Sequence, residues 1–144
     1  METELLLPDI DDPNFQAFWA GTARGELRIQ TCADCRRKRF PPRPMCFACN
    51  SLRHEWVPVE GRGTIWSFVV PHPPLLPAYA ALAPYNVIVV ALASEPGLRV
   101  VGNLVAGVGG RINQIDPATI RIGEPVRVVF EQIGGVFLPR WVRA

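Results

Sequence analysis

Four cysteines carry the clearest chemical signal in the chain. They fall into Cys32-Ala33-Asp34-Cys35 and Cys46-Phe47-Ala48-Cys49, two C-x-x-C pairs separated by ten residues. A C-x-x-C turn places two sulfur atoms on one side of a tight knuckle, and two knuckles complete a tetrahedral four-thiolate site with Zn–S bonds of about 2.3 Å. Four protein ligands leave no open position for water, so zinc held this way is structural rather than catalytic. Its binding energy helps fold a segment too small to have its own core. A rubredoxin-like iron centre uses the same geometry, although nothing nearby suggests a redox partner. Disulfides do not suit a chain without a secretory signal, and a redox dithiol needs a βαβ context that is missing.

Between the pairs runs Arg36-Arg37-Lys38-Arg39-Phe40-Pro41-Pro42-Arg43, with five of the fifteen basic residues. Such a run is either a solvated loop around a metal or a phosphate contact. Nucleic acid is one such anion; coenzyme A, with its diphosphate and 3′-phosphate, is another. Arg37, Arg39 and Arg43 are the candidate contacts. Catalysis is poorly served, because every cysteine is committed and only His54 and His72 could join a Ser-His-Asp arrangement. His72, between two prolines, reads as an ordinary loop histidine or as a substrate-loop contact. Gly107, Gly109 and Gly110 lack the Lys-Ser/Thr and following helix of a phosphate loop.

The elements that position these groups are mostly strands. Fifteen prolines in 144 residues cannot sit inside many helices, since each interior proline removes a hydrogen bond and clashes with the preceding turn. One helix is predicted from Pro13 to Arg24, capped by Asp12, with Phe15, Phe18, Trp19 and Thr22 on one face and Gly25 ending it. Strands are predicted at Leu27–Thr31, His54–Val59, Gly63–Val70, Tyr85–Ala93, Leu98–Val105, Pro125–Glu131 and Val136–Val142. The last five, with a helical turn at Asp116-Pro117-Ala118-Thr119 after the third of them, match a five-stranded Greek-key OB barrel; a small open sandwich is the alternative. The expected plan is an N-terminal segment with its helix (1–25), a rubredoxin-like zinc ribbon (26–60) and an OB-fold barrel (61–144).

The stretch Gly63–Ser94 holds no charged residue, but five prolines keep any apolar run in it below the ~20 residues of a spanning helix. Within it, residues 71–84 read as a long apolar loop that either folds over its own barrel or docks on a partner. The acidic N-terminus lacks the features of a secretory signal, and the chain reads as cytoplasmic. Residues 36–144 hold thirteen basic and six acidic groups, which favours an anionic ligand.

The ordered set Asp12-Pro13, Phe18-Trp19, Gly25-Glu26-Leu27, Gln30-Thr31-Cys32, Pro41-Pro42-Arg43, Cys46 to Cys49, Glu55-Trp56, Gly61-Arg62-Gly63-Thr64-Ile65, Pro84-Tyr85, Asn103-Leu104-Val105 and Ile122-Gly123-Glu124-Pro125-Val126 resembles the zinc-ribbon OB-fold proteins that accompany thiolase-like enzymes. That family was first catalogued as a domain of unknown function. The resemblance covers nearly the whole chain from Asp12. Arg36 and Phe47 stand where the family more often has glycine and proline.

The resemblance implies a non-catalytic accessory subunit in acyl-CoA metabolism, bound in a hetero-oligomer to a thiolase, synthase or steroid side-chain aldolase. Such a complex is a carbon–carbon lyase or acyltransferase. The OB domain packs on that partner and helps form its coenzyme A channel, and some relatives also pair with a hot-dog-fold hydratase. His72, Leu75, Leu76, Tyr79, Phe137 and Trp141 are the expected partner contacts. The alternative is a single-stranded nucleic-acid-binding module, with Trp66, Phe68, Tyr85 and Phe130 stacking on bases. The absence of Lys and Arg from strands Gly63–Val70 and Tyr85–Ala93 argues against it.

Overall fold

The computed structural model describes residues 5–144. Asp12 begins the first element with a turn: its carboxylate accepts the Asn14 N–H at 2.9 Å, and its carbonyl accepts from Phe15 and Gln16. Helix α1 (Gln16–Thr22) therefore starts later than the Asp12-Pro13 signal predicts, with Phe15 at the cap position and no side-chain cap. Gly25 follows it with φ +75°, a left-handed conformation that costs glycine least. The helix buries Phe18 and carries Trp19 beside it, and Phe15 at the cap and Phe18 meet Phe40 with ring centroids 6.3 and 5.6 Å apart.

Three strands form the first sheet, in the order β2-β1-β3: β1 (Leu27–Cys32), β2 (Lys38–Arg39) and β3 (His54–Val59), all antiparallel. β2 is too short to show an alternating pattern and exists through its pairing, Gln30 with Arg39 and Thr31 with Lys38. The second sheet holds β4 (Arg62–Val69), β5 (Val87–Leu92), β6 (Arg99–Gly102), β7 (Pro125–Ile133) and β8 (Val136–Arg143), in the order β6-β5-β4-β7-β8. All seven predicted strands form, with ends shifted by up to three residues.

This sheet curls until its edges meet. Beyond β6, Leu104 bridges Trp141 in parallel: the Val105 N–H donates to the Trp141 carbonyl at 2.8 Å, and the Trp141 N–H to the Asn103 carbonyl at 3.0 Å. The result is the partly open five-stranded barrel expected of an OB fold. Alternation aims Ile88, Val90 and Leu92 of β5 inward, beside Ile65, Val100, Leu104, Val126 and Trp141. Gly102 makes room for the indole, since a Cβ there would lie 2.8 Å from the Trp141 ring. Leu27 and Ile29 of β1 and Phe18 of α1 join the same buried cluster. The ribbon and barrel thus share one apolar core, and burial of each contributes to the other.

Between β4 and β5 the apolar loop contains one unpredicted helical turn, α2 (Pro77–Ala80), with proline in its first turn. Part of the loop folds back, because Leu82 and Tyr85 pack on Val105, Ile112, Val129 and Val142. A single 3₁₀ turn (Pro117–Thr119) stands where Asp116-Pro117 predicts it, with the Asp116 carboxylate accepting the Ala118 N–H at 3.0 Å.

Asn86, fully buried, shortens β5 relative to the predicted Tyr85 start. Its side-chain amide donates to the carbonyls of Leu104 (2.9 Å) and Ile112 (3.3 Å), while its Oδ1 accepts the Leu104 N–H at 2.6 Å. One side chain thereby holds the segment that closes the barrel. Asn86→Ala leaves a buried N–H and two carbonyls without these partners, and the expected loss is about 2–4 kcal/mol. A lower urea midpoint at unchanged m value checks it; an unchanged midpoint would remove Asn86 from this role.

Candidate metal centre

The two cysteine knuckles repeat one backbone plan. In the first, the Arg36 N–H donates to the Cys32 carbonyl at 3.0 Å and the Cys32 N–H to the Arg37 carbonyl at 2.9 Å. In the second, Asn50 donates to Cys46 at 3.0 Å and Cys46 to Ser51 at 2.9 Å. The residue after each pair is left-handed, Arg36 at φ 65° and Asn50 at φ 62°. Asn tolerates that region. Arg36 occupies it without such an advantage, which explains why glycine suits the position.

All four sulfur atoms lie within 4.8 Å of one another. Cys32 and Cys49 Sγ are 3.6 Å apart, and Cys35 and Cys46 Sγ 3.7 Å. A tetrahedron with metal–sulfur bonds of about 2.3 Å has edges of about 3.8 Å, so the donor set fits zinc. Cys32 and Cys46 are buried and Cys35 and Cys49 are exposed. The Cys35 and Asp34 amides help draw the Cys32 thiol down to about 6, and the Cys49 and Ala48 amides lower Cys46. The Ser51 amide favours the Cys49 thiolate, yet the neighbouring sulfurs and partial desolvation push that thiol up to about 12. Sulfurs this close cannot all ionise until a cation joins them.

The knuckles are also braced from outside. Asp34 accepts hydrogen bonds from the Ser51 hydroxyl and the Arg53 guanidinium, tying the first knuckle to the segment after the second. Arg53, and then Ser51, hold the Asp34 carboxyl below its ordinary range. A depressed carboxylate pKa stabilises the fold at neutral pH, and this contribution fades as pH falls from its ordinary value through the lowered one. The brace is solvent-exposed, which keeps it weak.

Of the three arginines nominated for anions, Arg37 and Arg43 are exposed; Arg37 lies 5.5 Å from the exposed Phe47 ring. Arg39 is placed differently, at 3% exposure, because β2 turns it inward. Its Nη2 donates to the Arg43 carbonyl at 2.9 Å, and Gln30 Oε1 accepts the Arg43 N–H at 2.8 Å. Arg39 therefore anchors the Pro41–Arg43 segment from inside. Trp141 is likewise fully buried, on the barrel's inner face, and offers no contact surface. His72 and Leu76 are exposed, Leu75, Tyr79 and Phe137 half-buried. The four aromatics weighed for base stacking do not share an open face: Arg99 lies 3.9 Å over the exposed Trp66 ring, Phe68 and Phe130 pack on the main core, and Tyr85 on the second cluster. Asn86 escaped the sequence reading; its position before an alternating strand was its only signal.

Comparison with known proteins matches residues 19–55 to the ChsH2 rubredoxin-like zinc ribbon domain and residues 56–131 to the ChsH2 C-terminal OB-fold domain. The chain belongs to the ChsH2 family. The two ChsH2 segments meet inside β3, between Glu55 and Trp56, so the strand is continuous across the join. A solved structure titled Ltp2-ChsH2(DUF35) aldolase superposes at TM-score 0.79, with 30% identity, covering 94% of this chain and 98% of that one. The 3-oxo-4,17-pregnadiene-20-carboxyl-CoA hydratase alpha subunit of Mycobacterium tuberculosis is 38% identical over 113 residues, 78% of this chain and 32% of that protein. A DUF35 domain-containing scaffold protein of Methanothermobacter thermautotrophicus is 32% identical over 111 residues, 76% of this chain and 75% of that protein. This ChsH2-family chain spans about a third of the length of the curated hydratase subunits it matches. No helix among the described residues is long and apolar enough to cross a membrane.

Zinc removal should unfold the ribbon. With Cys46→Ser, bound zinc is expected to fall well below one per chain and the unfolding transition to broaden or move down, read by metal analysis and thermal melting; full stability without zinc would argue against a structural metal. At the strained turn, Arg36→Gly should hold zinc at least as well as the parent. Arg36→Val should cost about 1–2 kcal/mol relative to Arg36→Gly, measured by chelator competition and urea unfolding.

Proposed function

We propose that this chain is a non-catalytic accessory subunit that binds and stabilises a thiolase-like partner in an acyl-CoA-processing hetero-oligomer. The observation that carries the reading is the near end-to-end match to a ChsH2(DUF35) chain in a solved aldolase assembly. The commitment of all four cysteines to one cluster supports it, since no free thiol remains to carry an acyl group. The partner supplies the carbon–carbon chemistry, and this chain supplies a metal-stabilised surface. The ribbon (26–60) and barrel (61–144) act together through their shared core.

The half of the apolar loop that does not fold back supplies the partner contact. Leu76 is 58% exposed and His72 is open to solvent, with Leu75 and Tyr79 behind them. Phe137, half-buried beside α1, is a separate partner contact. A large apolar side chain held this far out of the core is well placed to anchor an interface. Arg37, beside Phe47, and the exposed Arg43 are the groups of this chain that reach a coenzyme A phosphate in the assembly. Arg36 and Arg53 already pair with Glu55 and Asp34. A hot-dog-fold hydratase partner is the second reading, favoured by relatives named as hydratase alpha subunits.

Co-expression with the thiolase-like protein of the same host should give a stoichiometric complex with one zinc per chain, seen by size-exclusion chromatography and mass spectrometry. Isolation of this chain alone, or with nucleic acid in a salt-sensitive manner, would overturn the reading. Leu76→Asp should weaken that complex at least about tenfold while leaving the isolated chain's melting temperature unchanged. Arg37→Gln with Arg43→Gln should raise the assembly's KM for acyl-CoA by about three- to tenfold, with kcat unchanged.

A further inference from the structure

The cluster of Cys32, Cys35, Cys46 and Cys49 has an inside and an outside. Cys32 and Cys46 are buried while Cys35 and Cys49 are exposed, so each knuckle offers one sulfur to solvent and keeps one behind it. Sulfur–sulfur contacts run between the knuckles: Cys49 Sγ lies 3.6 Å from Cys32 Sγ, and Cys35 Sγ 3.7 Å from Cys46 Sγ. Each contact joins an exposed sulfur to a buried one. Arg36 and Arg37, both exposed, follow Cys35 directly, and a cationic setting favours the nucleophilic thiolate form. An accessible thiolate beside a second sulfur is the arrangement that redox-sensing cysteines share, the first taking the oxidant and the second resolving it. Holding a metal asks for no such division, since four thiolates bind it whether or not solvent reaches them.

We propose that this cluster is a modification site for small peroxides, at which oxidation exchanges the bound cation for two inter-knuckle disulfides, Cys32–Cys49 and Cys35–Cys46. The exposed thiolate attacks one peroxide oxygen. An S–O bond forms, the O–O bond breaks and the second oxygen leaves as hydroxide, so that sulfur loses two electrons to peroxide and becomes a sulfenic acid. The buried thiolate across the contact then attacks that sulfur, forming the S–S bond and displacing the oxygen as a second hydroxide. Both hydroxides take protons from solvent; the net change converts two thiolates, one peroxide and two protons into one disulfide and two waters. The cation, left with half of its donors, departs, and the second pair follows by the same steps with a second peroxide.

The two bonds join the same knuckles that the metal joins, so the oxidised ribbon stays closed around Phe40. In a reducing compartment such disulfides are transient, and a dithiol restores the four thiols by exchange. This chemistry is independent of the partner reading above, because every sulfur belongs to this chain.

The zinc-loaded full chain, treated with a small excess of hydrogen peroxide, should release about one zinc per chain to a chromogenic chelator as its thiols disappear. Trypsin cuts within the run from Arg36 to Arg39, leaving Cys32 and Cys35 on residues 29–36 and Cys46 and Cys49 on residues 40–53. Without reductant, mass spectrometry should find these two peptides joined. Further cleavage before Asp34 and after Phe47 separates the four cysteines and should assign Cys32–Cys49 and Cys35–Cys46. The oxidised, zinc-free chain should melt above the same chain stripped of zinc by a chelator under dithiothreitol, and dithiothreitol with added zinc should return the parent. Retention of zinc with free thiols, disulfides closed within each knuckle, or sulfinic acids in place of disulfides each overturn the site. The crossed pairing Cys32–Cys46 with Cys35–Cys49 overturns the assigned geometry. Equal melting of the oxidised and stripped chains overturns the exchange of metal for disulfides.

Discussion

Four sulfur atoms within 4.8 Å set the condition on which the ribbon rests. Without a cation their charges and their lone pairs crowd one another; with one, each knuckle is locked at both ends. The consequence spreads through β1, because Cys32 ends the strand whose other residues, Leu27 and Ile29, enter the common core. A metal site at the edge of the molecule therefore fixes the direction in which the core is packed. The Asp34–Arg53–Ser51 brace and the paired backbone turns refine that placement and are too exposed to replace it.

The barrel depends on a second, non-local constraint. Its edges meet through one parallel bridge at Leu104 and Trp141, which alone gives few hydrogen bonds. Asn86 adds three from a single buried side chain, and Gly102 lets the indole fill the interior. Satisfied polar groups inside an apolar barrel specify one register, since a slip would orphan them in low dielectric. This is why the strand boundary at Val87 falls two residues after the start that alternation alone predicts.

The sequence made the cysteine cluster legible because its information is local: two spacings determine two knuckles. Strand positions were legible too, since alternation and turn residues mark each strand, and the helical turn at Asp116-Pro117 points to the OB layout. Arg39 and Trp141 were not. A run of five basic residues reads as solvated, yet pairing of Arg39 with Gln30 turns one of them inward. Trp141 reads as an aromatic near a terminus, and only the closing of the seam buries it. The helix starts later than its signal for the opposite reason: Asp12 does cap backbone groups, but it caps a turn that precedes the helix.

Phe40 connects the two halves of the molecule. It lies between the knuckles in sequence, packs on Phe15 at the α1 cap and on Phe18 of α1, and is partly buried against the common core. Arg39 and Gln30 hold the chain on either side of it through hydrogen bonds to Arg43. The ribbon's metal thus supports more than its own loops, because the segment it encloses supplies an aromatic face to α1 and to the barrel. If the knuckles opened, that aromatic face would be lost to α1, because Phe40 sits in the segment they enclose. A chain with so few helices keeps its apolar surfaces in register by anchoring them to one rigid, metal-held loop.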